Sequence, residues 1–307
     1  MLLPREPTMP IINEPAEMAA HMGISEMALW RCILRPDRCY QRFTIAKKSG
    51  GRRTICAPTG PLKAIQRWLC TNVLNTAEVH DAATGYRKGR SILTNARPHA
   101  DKNFVFNVDI EDFFGSIPAS RVYALFRSLA YNTQFSRWLT RLTTYRGHLP
   151  QGAPSSPLIA NLICAELDQR LSHLCTAQGW SYTRYCDDIT ISGNDSFIRG
   201  RENVTAIIEA AGFKLNRRKM RFVTRSGRQV VTGLVVNKTP NISRHRRRQC
   251  RALFHKAALE PELFRDRIDE LQGQIAFLSM ICPADPAIPR YKQVLSLLGE
   301  GQQKDSP

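Results

Sequence analysis

The sequence lacks the segments that mark export or a membrane span. Residues 1–7 (MLLPREP) have neither the basic start nor the apolar stretch of a secretory signal, and no uninterrupted apolar run approaches about 20 residues. We therefore expect a cytoplasmic protein with no membrane partner. The nine cysteines are scattered from Cys32 to Cys282 without any Cys-x-x-Cys pair. Neither a disulfide framework nor a zinc module is indicated, and we interpret the cysteines as reduced core residues.

Acidic residues are also scarce relative to basic ones. The chain has 44 Lys and Arg against 26 Asp and Glu, a net charge of +18. Such an excess favours a nucleic-acid partner, because cations along a groove neutralise phosphates and release their counterions. The alternative is a cationic but inert surface. With 43% hydrophobic residues in 307, the chain can bury a core of one large or two ordinary domains.

Three aspartates stand at the ends of short apolar strands. Asp109 ends the alternating segment 104–110, and Asp187 and Asp188 lie near the tip of a predicted hairpin with arms 181–184 and 189–192. Neighbouring carboxylates repel each other unless a divalent cation lies between them, and Mg²⁺ prefers such oxygens. Two such ions about 3.5 to 4 Å apart support in-line phosphoryl transfer, which predicts nucleotide addition. Alternatively, Asp187 and Asp188 only form a turn and Asp109 caps a helix near Phe113.

Other patterns predict the elements around these acids. Ser25 is expected to cap the second of two short helices in residues 13–36, a pair that fits either a packing element or a DNA-binding helix-turn-helix. The basic segment 47–53 reads as a hairpin tip that is either a phosphate-binding flap or a solvated turn. Helices are predicted over 61–79, 119–143 and 156–178, and Ser155 or Ser156 is expected to cap the last of them. A strand pair is predicted through 221–223 and 229–237, followed by a basic helical segment from Ser243.

Five motifs in order resemble those of reverse transcriptases, and more narrowly those of bacterial retrons. They are NVDIEDFF (107–114), QGAPSSP (151–157), YCDD (185–188), GFKLNRRK (212–219) and VTGL (231–234). NARPH (95–99) and VTG (231–233) resemble two extra elements that distinguish retron enzymes. The resemblance covers nearly the whole chain.

The resemblance implies an α+β fold, the right-hand polymerase of fingers, palm and thumb. The palm would be an antiparallel sheet backed by helices. The implied parts are an N-terminal helical element (1–40), fingers (41–100 with part of 115–155), palm (101–240), helical thumb (241–300) and a frayed tail (301–307).

The resemblance also implies roles for residues of the catalytic centre. Asp109, Asp187 and Asp188 would hold two Mg²⁺ ions, and Lys219 would protonate the leaving pyrophosphate unless it is only a surface lysine. Phe114 matches the aromatic gate that excludes a 2′-hydroxyl, with ordinary core packing as its alternative. The full implied nucleotide-binding set is Lys48, Arg53, Asp112, Phe114, Gln151 and Gly152, of which Gln151 and Gly152 could instead form a simple helix-entry turn.

The resemblance implies a further set of residues that would contact RNA or primer: Asn95, His99, Val231, Thr232, Gly233, Arg244, Arg246, Arg247 and Arg248. The alternative for His99 is that its side chain only ties down its own loop. The alternative for the four arginines is that they form a solvated charged face.

The function that follows from the resemblance is RNA-directed DNA synthesis from deoxynucleoside triphosphates. The template would be a cognate structured non-coding RNA, primed from a guanosine 2′-hydroxyl to give a branched RNA–DNA product (msDNA). Antiphage defence with a separate effector protein is implied. The alternatives are a group II intron-like or diversity-generating reverse transcriptase, or a catalytically silent RNA-binding scaffold.

Overall fold

A four-stranded antiparallel sheet carries the centre of the fold. The computed structural model describes residues 12–46, 50–194, 197 and 199–304. The strands are β1 (Tyr40–Ala46), β2 (Arg52–Pro58), β3 (Phe104–Asp109), β4 (Ser181–Tyr185), β5 (Asp188–Gly193), β6 (Arg221–Thr224), β7 (Val230–Val231) and β8 (Leu234–Val235). The central sheet has the order β4-β5-β3-β6, and β1-β2 and β7-β8 are separate two-stranded hairpins.

Helices flank this sheet and follow it to the C-terminus. They are α1 (Pro15–Met22), α2 (Glu26–Leu34), α3 (Gly60–Asn72), α4 (Ile92–Ala96), α5 (Ala119–Ser128), α6 (Thr133–Thr143), α7 (Ser156–Ile163), α8 (Ala165–Ala177), α9 (Gly200–Ala210), α10 (Arg244–Leu259), α11 (Ile268–Ile281) and α12 (Ile288–Lys304). Within the described ranges, no helix is both long enough and apolar enough to cross a bilayer.

Strand β3 contributes to two hydrophobic clusters because its side chains alternate between its faces. Phe104, Phe106 and Val108 belong to a first cluster that also contains residues of α1–α3 and α5–α9. Val105, on the other face, belongs to a second cluster with Ala96, β7, β8 and α10–α12. The C-terminal helices therefore have an interior of their own, joined to the sheet through β3.

The N-terminal helices form a packing element, as one of the two interpretations expected. The Ser25 hydroxyl accepts a hydrogen bond from the Ala28 amide at 3.3 Å, which confirms the predicted cap. Met18, Leu29 and Ile33 are buried in the first cluster.

Two predicted long helices are each divided. The first is interrupted between α5 and α6, where Ala130 has φ +67° and Asn132 begins a new helix by accepting from the Phe135 amide at 2.7 Å. The second is interrupted at Cys164. Ser155 is the N-cap residue of α7, as one of the two predicted caps, but its side chain makes no capping hydrogen bond.

Two other expectations differ from the structure. The predicted pairing of 221–223 with 229–237 is wrong, since β6 pairs with β3 and β7 pairs with β8. At the C-terminus, α12 continues to Lys304, into the segment expected to be frayed.

Candidate active site

The register between β3 and β5 brings the predicted aspartates together. Asp109, at the end of β3, is directly opposite Asp188, the first residue of β5. Directly opposed residues on an antiparallel pair have Cβ atoms about 4.5–5.5 Å apart on the same face. Asp187 precedes Asp188 in the tight turn from β4, where Cys186 has φ +60°. The hairpin therefore delivers two carboxylates to the strand end that carries the third.

The acids strongly influence one another. Burial, followed by the charges of Asp187 and Asp109, raises the pKa of Asp188 to about 6. Burial also raises the pKa of Asp187, an effect that Asp109 increases and that Lys219 and Arg53 oppose. The negative charges of Asp187 and Asp188 are thus disfavoured where these side chains lie, so a cation placed beside them would be stabilised.

Lys219 is a cation that the chain itself places beside Asp109. Its ammonium group donates to both Asp109 carboxylate oxygens, at 3.0 and 2.9 Å. The hydrogen bond to Asp109 raises the pKa of Lys219, so the side chain is protonated at neutral pH. This contact joins the GFKLNRRK segment to the catalytic strand.

The donor set has the chemistry that Mg²⁺ prefers, namely carboxylate oxygens from three side chains at one end of the β3-β5 pair. It is not a preformed cage: among the described residues, no group of three or more His, Cys, Asp or Glu side chains has metal-holding geometry. Lys219 instead engages the Asp109 oxygens. The residues therefore fit a hard divalent cation in type and charge.

A cleft of about 390 Å³ opens beside the acids. It gathers Arg53, Asp112, Phe114 and Gln151 from the predicted nucleotide set. Lys48, of the same set, lies outside the described residues. The complete lining is Arg53, Tyr86, Asp109, Ile110, Glu111, Asp112, Phe113, Phe114, Gln151, Asp187, Asn216 and Lys219.

Phe114 lies between the hydrophobic core and the cleft. Its ring is partly buried against the first hydrophobic cluster, 5.3 Å from the ring of Phe113, and also lines the cleft. Asp112, with φ +43°, lies on the same loop. A Cβ on Gly115 would lie 2.3 Å from an Asp112 carboxylate oxygen, so the glycine makes room for that group.

Gln151 and Gly152 join the cleft to the β1-β2 hairpin. The Gln151 carbonyl accepts a hydrogen bond from the Cys56 amide at 2.8 Å. Gly152 has φ +115°, and a Cβ there would lie 2.6 Å from the Ile55 side chain. Only glycine allows this close approach without a shift of β2. Arg53, on the same strand, is thereby held at the cleft.

The two retron-like elements meet in the interior. Asn95 is fully buried, accepts a hydrogen bond from the Thr84 hydroxyl at 2.7 Å and donates a long one to the Thr232 hydroxyl at 3.5 Å. Val231 is also fully buried, whereas Gly233 is exposed. As the fold stands, the side chains of Asn95 and Val231 have no exposed surface through which to contact RNA.

His99 is equally enclosed, and the structure corrects its expected direct RNA contact. Its ring nitrogens pair with the hydroxyls of Ser192 at 2.7 Å and Thr183 at 2.8 Å. Burial, with a smaller effect of Lys102, lowers the pKa of His99 to about 3. A neutral His99 therefore ties its loop to β4 and β5, which was the alternative interpretation.

The arginines of α10 divide into two kinds. Arg244 and Arg248 are exposed, and exposed Arg246 donates to a glutamine side chain of α11 at 2.6 Å. Arg247 forms an ion pair with buried Asp285. Arg247 therefore supports the packing of the C-terminal helices rather than presenting a free charge.

Sequence reasoning missed a buried ion pair behind the acidic turn. Arg184 and Asp168 are both 0% exposed and are joined by two hydrogen bonds of 2.8 and 2.6 Å. The same guanidinium donates to the Cys186 carbonyl and to the Asn161 side chain, each at 3.0 Å. Because charges are rarely buried without a partner, an arginine in the predicted strand directly before YCDD was the available signal.

Comparisons with known proteins agree with this geometry. Residues 45–265 match the family model for "Reverse transcriptase (RNA-dependent DNA polymerase)". The chain is 36% identical over 282 residues to the retron Ec86 reverse transcriptase of Escherichia coli, covering 90% of this chain and 86% of that protein. It is 35% identical over 301 residues to the retron Mx65 reverse transcriptase of Myxococcus xanthus, covering 90% and 70%.

A solved structure shares the fold. Telomerase from Candida albicans, in complex with the TWJ fragment of telomeric RNA, superposes with a TM-score of 0.51 at 11% identity, covering 85% of this chain and 63% of that one. At this identity the likeness concerns the fold alone.

Proposed function

This chain belongs to the reverse transcriptase family and is a retron-type RNA-directed DNA polymerase with the right-hand fold; from that premise we propose that it copies its own structured non-coding RNA. Synthesis is self-primed from a guanosine 2′-hydroxyl and gives branched RNA–DNA. The observation that carries the catalytic assignment is the β3-β5 register, which puts Asp109 opposite Asp188 with Asp187 beside them.

Asp109, Asp187 and Asp188 are the proposed ligands of two Mg²⁺ ions. The oxygen chemistry of all three side chains and the raised pKa values of Asp187 and Asp188 support this assignment. Bound divalent ions would activate the attacking oxygen and neutralise charge on the leaving phosphate. Lys219 holds a proton beside Asp109 and is positioned to release it to pyrophosphate as a general acid.

The nucleotide lies in the cleft in this proposal. Arg53 offers a planar fork to the triphosphate from the edge of β2, and Lys48 is proposed as a second cation. Phe114 packs under the sugar and excludes a 2′-hydroxyl. Asp112, Gln151 and Gly152 complete the site, with Gly152 allowing the fingers strand to approach the loop.

The RNA is proposed to lie along the cationic C-terminal helices. Exposed Arg244, Arg246 and Arg248 are its contacts there, and Gly233 is exposed in the β7-β8 turn. Asn95, His99, Val231 and Thr232 support this surface from within. The proposed divisions are fingers over 41–100 with part of 115–155, palm over 101–240 and thumb over 241–300.

The retron resemblance extends the proposal to the cell. We place the enzyme in the cytoplasm, acting in antiphage defence with a separate effector protein. The support for this part is the similarity to retron enzymes along most of the chain.

The deciding experiment combines a double variant with sequencing of bound nucleic acid. The unmodified chain is expected to co-purify with a structured RNA carrying a short, covalently branched DNA. Asp187→Asn with Asp188→Asn is expected to abolish the DNA, whereas Asp266→Asn, at an exposed position on the C-terminal side, leaves it unchanged. Undiminished synthesis by the double variant would refute the catalytic assignment. Heterogeneous RNA without a branch would refute the retron-type priming.

A further inference from the structure

Tyr86 is an aromatic residue of the cleft that the family motifs above do not account for. It lines the cleft together with Asp187, Phe114 and Gln151. Its ring centroid lies 6.4 Å from that of Phe114, with an angle of 49° between the planes. Tyr86 is nevertheless 57% exposed, so much of its ring faces open space beside the acids. Uncovered aromatic area in a polar cleft is surface that a ligand can cover.

The backbone of Tyr86 is in an unfavourable conformation. Its φ is +58°, in the left-handed region that bulky residues rarely adopt because of steric strain. Such a residue persists only where the surrounding structure holds it, and these residues concentrate at ligand-binding sites. The strain therefore raises the question of what fixes Tyr86 in place.

The segment before Tyr86 is fastened to the catalytic hairpin. The Arg184 amide donates to the Ala82 carbonyl and the Thr84 amide donates to the Arg184 carbonyl, both at 2.8 Å. The Gly85 carbonyl accepts from the Asn161 side chain at 2.9 Å. Residues 82–85 thus run beside β4 as a short parallel partner.

Gly85 also packs directly on the acidic turn. A Cβ at Gly85 would lie 2.7 Å from the Cys186 amide nitrogen and 2.9 Å from its sulfur. The backbone contacts of residues 82–85 therefore hold Tyr86 beside the turn that carries Asp187, on the side of Phe114.

We propose that Tyr86 is a specificity-determining residue that forms, with Phe114, a two-ring wall against which the sugar of the incoming deoxynucleotide packs. This inference rests on the function proposed above. Two inclined rings make a corner that can receive the apolar face of a deoxyribose, and the backbone contacts of residues 82–85 hold the second ring beside Asp187. An added 2′-hydroxyl would meet this wall, which would disfavour the ribonucleotide.

Single-nucleotide insertion on a fixed primer–template tests the inference. For Tyr86→Ala we expect the KM for the deoxynucleotide to rise about 10- to 100-fold and discrimination against the matched ribonucleotide to fall by about 10-fold. Tyr86→Phe, which keeps the ring, stays within about 3-fold of the unmodified enzyme in KM. Met27→Ala, an exposed apolar position on α2, is the matched control and leaves both quantities unchanged.

The outcomes separate this inference from the proposed function. If the unmodified chain makes DNA and Tyr86→Ala keeps its KM and its discrimination, the inference alone is overturned. It is also overturned if only the Kd for primer–template changes, because Tyr86 would then contact the duplex. If the unmodified chain makes no DNA from any primed RNA, the proposed function and the inference fall together.

Discussion

Replacing His99 is expected to remove a defined pH dependence from the stability of the protein. The imidazole has a pKa of about 3 in the folded chain, lowered chiefly by burial, against about 6.5 when unfolded. Between these values the unfolded state binds one more proton than the native state. The contribution of neutral His99 to the free energy of unfolding is therefore fully present above about pH 6.5 and is lost as the pH falls towards 3.

The magnitude follows from the unfolded pKa. Each pH unit below about 6.5 costs about 1.4 kcal/mol, so about 2 kcal/mol is lost at about pH 5. The raised pKa values of Asp187 and Asp188 change stability in the opposite direction, because there the native state binds the extra proton. For this reason the measured quantity is the difference between the unmodified chain and His99→Gln.

Urea unfolding at about pH 7.5 and about pH 5 measures this difference. At about pH 7.5 we expect the free energy of unfolding of His99→Gln to be lower than that of the unmodified chain by about 1–3 kcal/mol. At about pH 5 we expect this difference to be smaller by about 2 kcal/mol. His255→Gln, at an exposed position, should show no such change. A gap that stays constant with pH would refute the account of a neutral, buried histidine. A loss of RNA affinity at unchanged stability would instead favour direct RNA contact.

Three further predictions concern the supports of the site. Arg184→Lys keeps the charge but loses the planar fork, so we expect a loss of about 10²-fold in kcat with a smaller change in nucleotide KM, measured by primer extension. Gly152→Ala is expected to lower the free energy of unfolding by about 1–3 kcal/mol, because the added Cβ meets β2; unchanged denaturation would contradict the close approach. Arg244→Ala with Arg248→Ala should weaken RNA binding and reduce its salt slope by about 2 at unchanged stability, whereas Arg247→Ala should destabilise the fold by about 1–3 kcal/mol. If the salt dependence of RNA affinity were the same for both variants, Arg244 and Arg248 could not be distinguished from Arg247 as RNA contacts.

The catalytic strands were predictable because their pattern is local. Alternation in 104–110 placed Asp109 on the strand face opposite Phe106, and the hairpin around YCDD followed from the two short segments 181–184 and 189–192 on either side of the acidic pair. The side-chain period of 2 then fixes which face each aspartate occupies. Similarly, the Ser25 cap depends only on residues within one helical turn.

The remainder depends on contacts between distant segments. Strand β6 pairs with the free edge of β3 and not with residues 229–237, which follow it in the sequence. The residues of β6 alone do not indicate which partner it takes. Asp168 neutralises Arg184 only because α8 packs on β4. Likewise, the sequence around His99 does not indicate that its ring bonds to the hydroxyls of Ser192 and Thr183, which lie more than 80 residues away along the chain.

Because β3 contributes side chains to both hydrophobic clusters, it constrains how chimaeras of this enzyme can be built. Val105 and Ala96 lie outside the C-terminal helices in the sequence, yet their side chains complete that region's interior. A graft that exchanges residues from 229 onwards with a relative would leave those two positions mismatched to the new helices. Val105 and Ala96 should therefore be exchanged along with the graft, while Phe104 and Phe106, which pack in the first cluster, are kept.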